Sequence, residues 1–140
     1  MPILILEDSA HRIAGFSAVL VALGRSDVHV YGSARHMLRD LPGLLPSAEV
    51  ISLDHDLYPL SGGDPDEDLG DGFMVARWLA EQSGPPRCPV ILHTSNGDMC
   101  KRMQGVLEHA GWDVRLAGAV GEHWIEKDWL VEVERVLRSS

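Results

Sequence analysis

At 140 residues, with 45% hydrophobic and 24% charged side chains, the chain has the size and composition of one folded domain (1–140) around one core, not of a disordered polymer. Its formal net charge of −9 excludes binding to long nucleic acid duplexes through phosphate neutralisation, yet leaves room for a small phosphorylated ligand held through a cation. No apolar run is long enough to cross a bilayer.

The opening residues Met1-Pro2-Ile3-Leu4-Ile5-Leu6-Glu7-Asp8 lack a basic stretch and reach two acids too early for a secretion signal. Ile3–Leu6 reads as a strand buried on both faces. Ser9 is placed to cap a helix on which Ile13, Phe16, Leu20 and Leu23 recur at helical spacing until Gly24. Val28–Tyr31 is a second strand. A short helix from Ser33 to Leu41 is expected to stop at Pro42-Gly43. Val50–Leu53 is a third strand and runs into Asp54-His55-Asp56. Residues 58–70 form a loop with an acidic stretch, read as solvated, with a lid over the neighbouring acids as the sharper alternative.

A helix with Phe73, Ala76, Leu79 and Ala80 on one face then runs to Gly84-Pro85-Pro86. Val90–Leu92 is the fourth strand, followed by His93-Thr94-Ser95-Asn96. Met99, Met103, Val106 and Ala110 mark another helical face, closed by Gly111. Val114–Ala117 is a weaker fifth strand, and Trp129, Val133 and Val136 stripe the last helix. Cys88 and Cys100 fit neither a disulfide framework nor a zinc pattern and read as reduced packing residues of a cytoplasmic protein.

Strands alternating with helices predict an α/β fold, a doubly wound parallel sheet with helices on both faces. The first and third strands are the most apolar and belong at its centre. Ligands of such sheets sit beyond the carboxyl ends of the strands. There the sequence brings Glu7, Asp8, Asp54, Asp56, His55, His93, Thr94, Ser95 and Asn96 together from three segments. Four crowded carboxylates call for a counter-charge, most simply Mg²⁺, with Mn²⁺ also fitting. Alternation along the third strand sends Asp54 and Asp56 to one side and His55 to the other. Helix capping is the competing reading for Asp8 and Ser9, and a structural role for the histidines. Arg12, one turn after Asp8, is placed either to pair with an acid or to hold a phosphate.

Leu6-Glu7-Asp8, Leu53-Asp54 with Pro59, and Pro89-Val90-Ile91-Leu92-His93-Thr94 resemble a phosphoacceptor receiver domain. The resemblance implies strand order 2-1-3-4-5, Glu7 and Asp8 as metal-binding acids, Asp54 as phosphoacceptor and Thr94 as switch hydroxyl. Receivers end strand five in a lysine followed by proline, where this chain reads Leu116-Ala117-Gly118-Ala119. Ile51-Ser52-Leu53-Asp54-His55-Asp56-Leu57, Gly72 opening a helix, His93-Thr94-Ser95-Asn96, and Glu7-Asp8 with Arg12 are similar to the cyclic-phosphate processing receiver domains. That narrower resemblance implies a metal-dependent phosphoesterase acting on a cyclic phosphate, a nucleotide or an RNA end. Glu7, Asp8, Asp54 and Asp56 would hold the metal. His93, His55 and Asp54 would be catalytic, and Arg12, Thr94, Ser95 and Asn96 would bind substrate. The alternatives are a signalling receiver phosphorylated on Asp54 and a non-catalytic binding module.

Overall fold

The structure, a computed structural model, describes residues 1–58, 67–84 and 88–139. Five strands, β1 (Ile3–Leu6), β2 (Val28–Tyr31), β3 (Val50–Leu53), β4 (Val90–Leu92) and β5 (Val114–Leu116), form one sheet in the order β2-β1-β3-β4-β5. Each pairing is parallel. This is the doubly wound order, with its switch point between β1 and β3.

The helices are α1 (Ala10–Ala22), α2 (Ala34–Leu44), α3 (Gly72–Ala80), α4 (Gly97–His109) and α5 (Leu130–Ser139). Side chains of a strand alternate between faces, and here both faces are covered. Leu4, Leu6, Ile51, Leu53 and Leu92 pack under α2, α3 and α4, against Met37, Leu41, Leu79 and Met103. Ile3, Ile5, Val50 and Ile91 pack under α1 and α5, against Phe16, Leu20, Trp129 and Val133. Each such side chain taken fully from water contributes roughly 1.5–3 kcal/mol before the entropy of ordering it.

Three expectations need correction. The second helix does not stop at Pro42 but continues to Leu44 and tightens into a 3₁₀ turn, Leu45–Ser47. Proline forfeits one helical hydrogen bond there. Burial of Leu41 and Leu45 in the core on either side of it holds the segment helical. On α3 the buried stripe is Gly72, Val75, Ala76 and Leu79, rotated from the face expected. The cause is Gly72, where a Cβ would fall on the Asp54 carbonyl oxygen, so only glycine lets α3 start directly against the end of β3. On α4 the fully buried residues are Met103 and Leu107, with Met99 and Val106 only half-buried. A π-helical turn, Ile125–Trp129, leads into α5 without any signal in the sequence.

Candidate functional site

The register builds the site. Leu6 pairs with Leu53, Leu53 with Leu92, and Leu92 with Leu116. The ladder continues one residue further, through Asp54 N–H to Leu6 O, His93 N–H to Leu53 O and Ala117 N–H to Leu92 O. Glu7, Asp54, His93 and Ala117 therefore stand abreast on adjacent strands, spaced roughly 4.8 Å apart. By alternation the first three share the side of Ile5, Ser52 and Ile91, under the start of α1.

Glu7 is fully buried. Its Oε2 accepts from the Asp8 and Ser9 amides at 3.0 and 3.1 Å, while Oε1 lies 3.2 Å from His93 Nε2 and 3.6 Å from the Arg12 guanidinium. The His93 ring nitrogen is off the line a directed hydrogen bond needs, so that contact is electrostatic. Ser9 caps α1 by accepting from the Arg12 amide, and this start places the Arg12 guanidinium between Glu7 and Asp54, 3.8 Å from Asp54 Oδ2. The guanidinium also lies 5.3 Å above the Trp124 ring, a cation–π contact that fixes its other side. Asp54 Oδ1 accepts from the His55 amide at 2.8 Å. Asp8 Oδ2 accepts from the Tyr58 amide at 2.6 Å.

These environments separate the acids. Burial opposes ionisation of Glu7, but the adjacent His93 and the Ser9 amide outweigh it and hold the carboxyl down at about 2. Burial, reinforced by the Glu7 charge, pushes Asp54 up to about 6, against the His55 amide and the pull of Arg12. Asp8 is raised by burial and by Glu7. Crowding of this kind is relieved by a cation.

Among the described residues, Glu7, Asp8 and Asp54 each offer an oxygen within 4.8 Å of the others, and the buried Glu7 Oε1 has no hydrogen-bond partner. An orphaned buried carboxylate oxygen with two more hard oxygen donors fits a small divalent ion. These acids, Arg12, Asp56, Tyr58 and Ser95 line a cleft of about 350 Å³. Arg12 and Trp124 also border a larger hollow of about 580 Å³, flanked by His11 and His123.

The other expected residues divide. Asp56 lines the cleft but does not join the three clustered acids. Its oxygens meet His55 Nδ1 at 2.9 Å and Asn96 Nδ2 at 3.2 Å. His55 is turned to the α3 side, with Nε2 3.7 Å from Asp71, the cap of α3. Asn96 caps α4, and buried Thr94 accepts from the Asn96 amide. Ser95 is the exposed hydroxyl at the rim. His93 is wholly buried, with Nδ1 2.6 Å from Ser52 Oγ and its ring against Phe16 and Trp124. Of the acidic loop, residues 59–66, and with them Pro59 and most of the lid alternative, lie outside the described residues. Asp68 and Leu69 are strapped to Arg35, Ser33 and Ala34 at the start of α2. Sequence reasoning missed Ser52 and gave Trp129 only a packing role. The signal for Ser52 was a hydroxyl inside an otherwise apolar strand.

A glutamate–aspartate pair ending β1, an aspartate ending β3 and Ser95 of the segment after β4 thus meet in one cleft, with His93 buried behind Glu7. The sequence profile of the cyclic-phosphate processing receiver domain matches residues 4–109. The chain belongs to that family. Among curated proteins none matches it. Solved structures that it resembles include receiver domains. One, a response regulator receiver domain from Rhodospirillum rubrum, is 14% identical with a TM-score of 0.72, covering 100% of this chain and 95% of that one. The signal receiver domain of a signal transduction histidine kinase from Syntrophus aciditrophicus is 24% identical with a TM-score of 0.66, covering 99% and 90%. The signal receiver domain of a modulated diguanylate cyclase from Desulfovibrio desulfuricans G20 is 18% identical with a TM-score of 0.60, covering 99% and 98%. At such identities the likeness concerns the fold. This receiver domain has, among its described residues, no helix long and apolar enough to cross a membrane.

Proposed function

We propose that this receiver domain is a metal-dependent phosphoesterase that opens a cyclic phosphate or a related phosphodiester in the acid cleft. The observation that carries the reading is the Arg12 guanidinium, held at 3.6 and 3.8 Å from Glu7 and Asp54 inside a carboxylate-lined cleft. A fixed cation beside a cation-binding acid cluster suits a phosphate dianion or diester, which needs positive charge from both. The family to which the chain belongs supports the cyclic-phosphate class.

Glu7, Asp8 and Asp54 would hold the ion, Mg²⁺ or Mn²⁺, which when bound supplies Lewis-acid polarisation of the phosphoryl oxygens and acidifies water. Arg12 and the Ser95 hydroxyl bind non-bridging oxygens. Asp56, exposed in the cleft and backed by His55 and Asn96, takes the proton from the attacking water. The water oxygen bonds to phosphorus, the ring P–O bond breaks, and the released alkoxide takes up a proton to leave a phosphomonoester. His93 acts from behind, through Glu7. Part of the ligand away from the phosphate extends past Arg12 into the hollow beside Trp124. The test is hydrolysis of 2′,3′- and 3′,5′-cyclic nucleotides and of RNA ending in a 2′,3′-cyclic phosphate, with Mg²⁺ or Mn²⁺. Turnover that is lost in Asp54→Asn and Arg12→Gln is expected; equal turnover in these variants and the native chain overturns the reading.

A second reading, a signalling receiver phosphorylated on Asp54, is favoured by the position of Asp54 at the end of β3, abreast of Glu7, in a receiver fold. It predicts one added phosphate mass after treatment with acetyl phosphate and Mg²⁺, absent in Asp54→Ala. No adduct in the native chain rules it out.

A further inference from the structure

Ser52 interrupts the apolar run of β3, and it is fully buried among Phe16, Trp129 and His93. The Trp129 indole Nε1–H donates to Ser52 Oγ at 2.9 Å, and the same oxygen lies 2.6 Å from His93 Nδ1. An indole nitrogen can only donate, so it occupies one lone pair of the hydroxyl and leaves the hydroxyl proton to be placed. If His93 Nδ1 accepts that proton's bond, the indole N–H and the serine O–H both have a partner. If Nδ1 carried its own proton, two donors would face one oxygen and the serine proton would be left over, a buried donor without an acceptor.

The geometry points to Ser52 and Trp129 as positioning residues of the acid cleft: a chain from Trp129 Nε1–H through Ser52 Oγ–H to His93 Nδ1 locks the imidazole proton on Nε2, facing Glu7 Oε1. That electrostatic contact, at 3.2 Å, joins two buried atoms neither of which has a hydrogen-bond partner. The lock holds one Glu7 oxygen toward Arg12 and the cleft while the other is tied to the Asp8 and Ser9 amides. A charge buried without such an orienting contact could swing toward any nearby donor. An aromatic box of Phe16 and Trp124 around the ring keeps water from offering Nδ1 another partner. His93 is thereby a residue that acts through Glu7, and Ser52 is one that acts through His93. The consequence for cation affinity rests on the reading of Glu7 as a cation ligand; the placement of the proton does not.

The measurement is a long-range ¹H–¹⁵N spectrum of the full chain labelled with ¹⁵N-histidine at neutral pH, with His93 identified by its contacts to the Phe16 ring. An unprotonated Nδ1 and a protonated Nε2 are expected in the native protein. A proton on Nδ1, or on both nitrogens, overturns the inference without any variant being made. In Ser52→Ala the fixed tautomer should give way to a mixture, the Asp8 and Ser9 amide signals should move, and Mn²⁺ affinity should fall on the order of tenfold, as it does when outer-shell partners of a metal ligand are removed. Ser52→Thr, which keeps the hydroxyl, should restore all three. A Ser52→Ala protein that folds and matches the native chain in tautomer, amide signals and Mn²⁺ affinity also overturns it. Should the native chain bind no Mn²⁺, the cation reading fails, and the lock is judged on the tautomer and the Asp8 and Ser9 amides.

Discussion

Asp54→Asn should make the metal-free protein more stable, and only above pH 4. In the folded chain burial and the Glu7 charge raise the Asp54 carboxyl from 3.8 to about 6. The folded state therefore holds that proton more tightly than the unfolded one. The cost is absent below pH 3.8, grows as pH rises through the interval to 6, and is complete above it. At roughly 1.4 kcal/mol per pH unit the interval corresponds to about 3 kcal/mol. Asparagine keeps the shape and the acceptor for the His55 amide, and the Arg12 attraction it gives up is already counted in that interval. The gain is about 3 kcal/mol, on the order of 1–2 M in the urea midpoint for a domain of this size. Urea unfolding followed by tryptophan fluorescence, in EDTA, at pH 8 and again at pH 4, measures it. A variant no more stable than the native chain at pH 8, or one whose gain is as large at pH 4, refutes the argument that the acids are crowded.

Glu7→Gln should act in the opposite sense. The Glu7 carboxyl is held at about 2 against a usual 4.5, so its contribution is complete above 4.5 and is lost as pH falls toward 2; the variant should lose about 3 kcal/mol at pH 7 and show a flatter acid limb in thermal melts from pH 2 to 6. Gly72→Ala should cost about 3 kcal/mol or more in denaturant unfolding, because the new methyl would meet the backbone of β3 at Asp54 and not a yielding side chain. Arg12→Gln should lower kcat/KM for a hydrolysed cyclic phosphate on the order of 10²-fold, with Arg12→Lys recovering little, since the guanidinium bridges two acids and an aromatic face at once.

Much of this molecule was legible in its sequence because the informative residues are local. Apolar four-residue runs specify buried strands, Ser9 and Ser33 specify helix starts, and acids placed immediately after the runs must land at the strand ends. The α2 boundary was not legible because a proline's local penalty was outweighed by packing of Leu41 and Leu45, which depends on distant partners. The α3 face was misplaced because a contact between Gly72 and the β3 backbone set the helix rotation, and glycine carries no hydrophobic signal. In the site, alternation separated Asp54 from His55, but it could not disclose that the His93 ring is enclosed. That depends on Phe16 and Trp124, which arrive from α1 and from the segment before α5.

The placement of positive charge gives the fold its particular character. Across the row formed by Glu7, Asp54, His93 and Ala117, the β5 position is a buried methyl group and not the lysine that the resemblance to receivers implies near the end of this strand. The cation that reaches Asp54 comes instead from Arg12 on α1, pinned on its far side by Trp124. A change of charge at Asp54 is thus felt first by α1 and by the segment leading into α5, not by β5. A switch built on β4 and β5 would lack its electrostatic link to the aspartate. A phosphate-binding cleft, by contrast, gains from a cation mounted on a well-capped helix beside an open hollow, because the ligand can be gripped without any movement of the sheet. The acids stand at the strand ends, and a counter-charge carried by α1 is the arrangement that the proposed ligand-holding role requires.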